Sequence, residues 1–109
     1  MKKAILIYRG DNVATMIEDV CTSENVELSD REGKTLSFLQ AVESIDMGHK
    51  IALRDFSIGD TVLKYGFPIG RAVADIKMGE RVDVHNIESR KGRGDLRYQA
   101  FETGMEKQK

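Results

Sequence analysis

Two short stretches hold the residue types from which chemistry could be built. Gly48-His49-Lys50 sets an imidazole and an amine side by side behind a flexible residue, and His85-Asn86 follows Asp83 in the run Val82–Asn86. An imidazole can bind metal or move a proton near neutral pH, and a lysine ammonium can hold a carboxylate. Each has a plain competitor, because an isolated histidine is more often a surface or hydrogen-bonding residue than a ligand. Arg90, Lys91, Arg93 and Arg97 form a basic segment, readable as a solvated tail or as a carboxylate-binding or docking element. Gly92-Arg93-Gly94 is glycine-rich but does not stand between a strand and a helix pattern, as a nucleotide loop would. No phosphate loop, Gly-x-Ser-x-Gly elbow or His-Glu-x-x-His pair occurs. One Cys and two His exclude a self-contained Cys-rich zinc site.

The elements that must position these residues show through an internal repeat. Three segments share Asp, an apolar residue, two variable residues, a small residue, an acid, and Val two further on: Asp19 to Val26, Asp55 to Val62 and Asp75 to Val82. Each comes after a short, mostly apolar run. An Asp that opens a turn can accept from backbone N–H groups. Gly59 and Gly79 stand where a left-handed residue closes the turn, a conformation glycine adopts at little steric cost. Ser23 holds that place in the first copy and fits it less well. The pattern predicts three strand–turn–strand corners in one compact sheet structure. Further strands are expected at Lys3 to Arg9 and at Val62 to Tyr65, with Phe67-Pro68-Ile69-Gly70 as a tight corner. The alternation in Val82-Asp83-Val84-His85 would aim Asp83 and His85 at one face. Between Thr35 and Asp46, Leu36, Leu39, Val42 and Ile45 recur every third residue, which suits a helix and a long strand equally.

With 109 residues the chain is one domain's worth, able to bury a single core without staples. The 17 basic and 18 acidic residues nearly cancel, which argues against a nucleic-acid binder driven by bulk charge. The apolar run Ala4 to Tyr8 is far short of a membrane span, and Arg9 and Asp11 end it too early for a secretion signal. Cys21 is alone, so no internal disulfide can form. These features predict a cytoplasmic chain with no membrane partner. The last dozen residues are polar and lack regular apolar periodicity, so residues 1–96 are expected as the domain and 97–109 as a loosely ordered tail.

Several runs, taken in order, resemble the small SAF-type domain of the altronate dehydratase family, which includes galactarate dehydratases and sulfolactate sulfo-lyases. They are Asp11-Asn12-Val13-Ala14, Gly48-His49-Lys50-Ile51-Ala52-Leu53-Arg54-Asp55, Lys64-Tyr65-Gly66, Pro68-Ile69-Gly70, Gly79-Glu80, and Val84-His85-Asn86-Ile87-Glu88-Ser89 with Gly92-Arg93-Gly94-Asp95-Leu96 after it. The resemblance covers roughly residues 11–96 and is weak from Glu27 to Met47. It implies a mostly-β, β-clip fold with at most one short helix. It implies a companion large catalytic subunit, a divalent metal (Fe2+ or Mn2+) and a sugar-acid substrate that loses water to give a 2-keto-3-deoxy acid. His49 would then be a metal ligand or acid/base group, Lys50 would orient the substrate carboxylate, and His85 with Asp83 would be a second ligand set or proton carrier. Asn86 would support by hydrogen bonding and contact substrate, and Tyr65 would contact substrate or simply pack. The family commonly reads His-x-His-Asn where this chain has Asp83 first, a change Asp can accommodate as a hard-metal ligand. The alternative is a non-catalytic SAF module that binds a carbohydrate or a partner. Self-association of an isolated β domain with unpaired edges is open.

Overall fold

The computed structural model describes residues 1–89, so the proposed boundary at 96, the tail and the basic segment from Arg90 lie outside the described residues. Nine strands and no helix occur among them: β1 (Lys2–Ile5), β2 (Val13–Met16), β3 (Asn25–Ser29), β4 (Thr35–Gln40), β5 (Lys50–Ala52), β6 (Thr61–Lys64), β7 (Phe67–Ala72), β8 (Arg81–Val82) and β9 (Ile87–Ser89). Among the described residues no helix is long and apolar enough to cross a membrane. Six strands form one sheet in the order β4-β3-β1-β2-β5-β8, and three form a second in the order β6-β7-β9. Every pairing is antiparallel except β1 with β3.

The strands are joined by a corner used four times rather than three. Val20 forms an isolated bridge with Ile45, and Phe56 forms one with Ile76. Three residues after each bridge stands a left-handed residue: Ser23 (φ 74), Gly48 (φ 92), Gly59 (φ 94) and Gly79 (φ 92). Its N–H donates to the carbonyl that precedes the partner corner: Ser23 to Ala41, Gly48 to Met16, Gly59 to Ala72 and Gly79 to Ala52. The corners therefore lock as two reciprocal pairs, 1 with 2 and 3 with 4. Carboxylates add clamps between them, since Asp19 accepts from Met47 N–H (2.8 Å), Asp55 from Met78 N–H (2.9 Å) and Asp75 from Ile58 N–H (3.3 Å). Ser23 takes the left-handed conformation in full, so the first corner is regular despite its missing glycine.

Two cores lie under the two pairs. The first gathers Met16, Val20, Val26, Ile45 and Ile51, and the second Val13, Phe56, Val62, Ile76 and Val82. Each such side chain contributes roughly 1.5–3 kcal/mol by leaving water. β2 and β5 serve both cores. Ala14 and Ile51 are register partners in the first, while Val13 and Ala52 are register partners in the second. Successive strand residues point to opposite faces, so two strands can carry a core on each side.

Several expectations need correction. The amino-terminal strand ends at Ile5, short of Arg9. Of the two readings left open from Thr35 on, the strand is the one found, over residues 35–40, and it leads into the second corner. Phe67 to Gly70 lies inside β7; the tight turn is Tyr65-Gly66 (φ 60 and 79). Pro68 is tolerated because it faces Leu63 beside a register shift, where the ladder needs no N–H from it. Val82 ends β8, and residues 83–86 form a turn in place of the expected alternating strand.

Candidate functional site

The second corner departs from the others at its sixth position. In corners 1, 3 and 4 that position is an acid that accepts the backbone N–H three residues earlier. Glu24 takes Cys21 N–H at 2.8 Å, Asp60 takes Ser57 N–H at 2.9 Å, and Glu80 takes Lys77 N–H at 2.9 Å. In corner 2 the residue is His49. The backbone still turns as in the other three, with His49 N–H donating to Asp46 C=O at 3.1 Å. The imidazole leaves the turn and places Nδ1 3.2 Å from Asp83 Oδ2. Both side chains keep solvent access, at 44% and 28% exposure.

Asp83 is held for this contact by the turn that ends β8. Asn86 Oδ1 accepts Asp83 N–H (2.9 Å) and its Nδ2 donates to Arg81 C=O (2.8 Å), so both ends of the buried Asn86 amide are used in shaping the turn. Asp83 Oδ1 accepts Val84 N–H at 2.8 Å. That bond, with the positive charges of His49, Lys50 and Arg81, holds the Asp83 carboxyl below the usual carboxylate range against the opposing effect of burial. His85 sits exposed on the turn and makes no hydrogen bond or ion pair with the described residues. The structure thus brings His49 and Asp83 together and leaves His85 apart from them.

Lys50 opens β5 directly after His49. Burial, and then the neighbouring Lys64 charge, lower its ammonium below the usual lysine value, while Asp83 acts in the other direction. Lys64, at the end of β6, is lowered by burial and partly restored by Asp11. Its Nζ lies 4.9 Å from the centroid of the Tyr65 ring. Tyr65 is half exposed and is one of two described non-glycine residues with positive φ. Asp11 holds it there, because its buried carboxylate accepts Tyr65 N–H (2.8 Å), Gly66 N–H (2.8 Å) and Tyr8 N–H (3.2 Å). Asn12 continues the seam, accepting Leu63 N–H at 2.8 Å and donating to Thr61 C=O at 3.0 Å. The runs holding Lys64, Asp11 and Asn12 stand out in the sequence, but these backbone-pinning roles of Asp11 and Asn12 cannot be reached from it. The Asp11 partners lie up to 55 residues away along the chain, and no local pattern encodes them.

As a metal centre the arrangement is incomplete. Among the described residues no three His, Cys, Asp or Glu side chains gather, so His49 and Asp83 supply two donors and not a whole shell. The geometry suits an imidazole oriented by a carboxylate through Nδ1, leaving Nε2 for a proton or for a metal shared with another chain.

Residues 2–90 match the family model of the altronate/galactarate dehydratase SAF domain. The chain is 36% identical over 89 residues to altronate dehydratase of Bacillus subtilis, a match covering 82% of this chain and 17% of that one. It is 42% identical over 60 residues to (2R)-sulfolactate sulfo-lyase subunit alpha of Chromohalobacter salexigens, covering 55% of this chain and 63% of that subunit. It is 32% identical over 79 residues to galactarate dehydratase (L-threo-forming) of Escherichia coli, covering 72% and 14%. The matched region is a small part of the dehydratases and under two thirds of the sulfo-lyase subunit.

Proposed function

The chain belongs to the altronate/galactarate dehydratase SAF-domain family, and from that membership we propose that it is the small component of a two-part hydro-lyase acting on a sugar acid to give a 2-keto-3-deoxy acid. The observation that carries a chemical role, beyond a packing one, is the placement of His49. The corner would be better capped by an acid there, and the imidazole is turned to Asp83 instead.

In this reading His49 exchanges the proton next to the substrate carboxylate through Nε2. Asp83 orients the ring and offsets its charge when protonated. Lys50 draws the carboxylate in. Asn86 is a positioning residue, since its amide is spent on the turn that presents Asp83. In the other use of the same atom, a divalent metal such as Fe2+ or Mn2+ would be held at His49 Nε2 in place of the proton, with Asp83 and ligands from the larger component, and would supply Lewis-acid help to the departing hydroxide while the larger component supplies the base. The half-built donor set supports a site completed by another chain. So does the apolar surface beside it, where Val84, next to Asp83, is 88% exposed.

The test is reconstitution with a large dehydratase chain and assay of keto-acid formation from altronate, galactarate and (2R)-sulfolactate, with sulfite as the readout for the last. His49→Ala should lower turnover by at least about 10²-fold. Full activity with His49→Ala and Asp83→Ala, assembly being intact or weakened, would replace the catalytic reading with that of a binding module.

A further inference from the structure

A guanidinium carries five N–H donors and no acceptor, so leaving one half-buried without an anion is costly. Arg81 is in that position. Its backbone is fully engaged: its N–H donates to Glu43 Oε2 (2.8 Å) and its C=O accepts from Asn86 Nδ2 (2.8 Å). The residue is thereby fixed between the second corner and the turn after β8. Its side chain is half buried and makes no hydrogen bond or ion pair among the described residues. Arg81 Nε is one of two buried side-chain polar atoms there without a hydrogen-bond partner, the other being Ser29 Oγ. Native structures keep few such atoms, and each calls for a reason.

The strand register says where this arginine stands. Across the β5–β8 ladder Ile51 faces Arg81 and Lys50 faces Val82. Ile51 lies in the first core and Val82 in the second, so alternation puts Arg81 on the Ile51 side. Two residues further along, roughly 7 Å on a strand, His49 and Asp83 meet at 3.2 Å. Arg81 is therefore the neighbour of the His49–Asp83 pair on one face of the ladder, and Lys50 belongs to the other face. The nearby carboxylates are in use, Glu43 on the Arg81 N–H and Asp83 on Val84 N–H and His49, and neither pairs with the guanidinium.

We propose that Arg81 is a carboxylate-binding group of this site, holding the acid end of a small hydroxy acid beside the His49–Asp83 pair. A planar guanidinium offers two parallel N–H groups to a carboxylate and so fixes its direction, which a lysine ammonium does not. Lys50 then attracts the acid and Arg81 aligns it. The identity of the acid rests on the hydro-lyase reading, and the test is independent of activity. The carboxylate could also be an Asp or Glu side chain of the larger component, and the test separates the two sources.

The experiment follows the Arg81 Nε–Hε and backbone amide signals of the 15N-labelled full chain during titration with galactarate at constant ionic strength. Burial of Nε should slow its exchange with water and keep that signal visible near neutral pH. Saturable shifts of Arg81 Nε–Hε and of the Arg81 and Asp83 amides are expected in the millimolar range of a half-open site. Galactitol, the same carbon chain without carboxylates, should give none. Arg81→Lys keeps the charge and loses the fork, and should weaken binding about threefold or more; Arg81→Met should weaken it about fivefold or more. Arg81→Gln repeats the measurement should the Met variant fold poorly. No saturable shift, the same shifts with galactitol or sodium chloride, or an unchanged Kd in both Arg81→Met and Arg81→Gln overturns the proposal. Nε–Hε shifts produced by the larger component and not by galactarate also overturn it, since the arginine would then hold a protein carboxylate. Failure of the hydro-lyase reading shows separately, as an inactive complex, whereas this binding is read on the chain itself.

Discussion

If His49 occupies a place that the fold would give to an acid, restoring the acid should stabilise the chain. The variant is His49→Glu, since two of the three capping acids are Glu24 and Glu80. A carboxylate that caps an exposed backbone N–H contributes roughly 0.5–2 kcal/mol, as at helix termini. A new charge near Asp83 opposes this. Two carboxylates about 6 Å apart repel by roughly 0.7–3 kcal/mol between the dielectric limits of water and a protein surface. In the wild-type background the two effects cancel or leave a small loss. The comparison is therefore made with Asp83→Asn present in both proteins, where the His49–Asp83 attraction and the new repulsion are both absent. There His49→Glu should raise stability by about 1 kcal/mol, or roughly 4–8 °C in Tm for a domain of this size. Urea and thermal unfolding monitored by circular dichroism at neutral pH provide the measurement. A loss of stability of about 1 kcal/mol or more from His49→Glu in the Asp83→Asn background would refute the reasoning, for His49 would then be a structural residue.

The other expectations are simpler. Gly59→Ala meets open space and should cost only the left-handed strain, about 1–2 kcal/mol, whereas Gly79→Ala would drive a Cβ into the Gln40 carbonyl oxygen and should cost at least about 2 kcal/mol more by urea unfolding. Asp11→Ala strands the N–H groups of Tyr8, Tyr65 and Gly66 and should destabilise by roughly 3–4 kcal/mol, with about 1 kcal/mol recovered by adding Tyr65→Gly, measured in the same way. Asp83 titrates below its ordinary value in the fold, so its contribution is complete above the unfolded value of about 4 and is lost as pH falls through the lower folded value. Asp83→Asn should accordingly flatten the acid limb of a plot of Tm against pH.

How far the fold can be read from the chain depends on how many of its devices are local. Asp55 with Gly59, and Asp75 with Gly79, carry the corner in consecutive residues, and both are legible. The second corner is hidden because Ser44 and His49 replace the two acids that mark the motif. The remaining Ile45 and Gly48 are too little to declare a repeat. His49 and Asp83 each stand out in the sequence, but through different partners. The apparent alternation from Val82 to His85 ties Asp83 to His85, while the Asn86 amide folds those residues into a turn and delivers Asp83 to His49. Lys64 stands within a recognised motif with no reason to prefer it over its neighbours. Its half-buried setting and its place against the Tyr65 ring come from the turn pinned by Asp11, which is not written in its own segment.

The sharing of β2 and β5 between two cores has a consequence for the molecule's cooperativity. Val13 and Ala14 are adjacent in the chain yet belong to different cores, as do Ile51 and Ala52. Native-state hydrogen exchange should therefore resolve two opening units, one containing the amides of Ser23 and Gly48 and the other those of Gly59 and Gly79. His49 stands in a corner of the first unit, and Asp83 comes directly after Val82 of the second. The pair survives only while both units are closed, so partial opening of either would silence the site well before the chain as a whole unfolds.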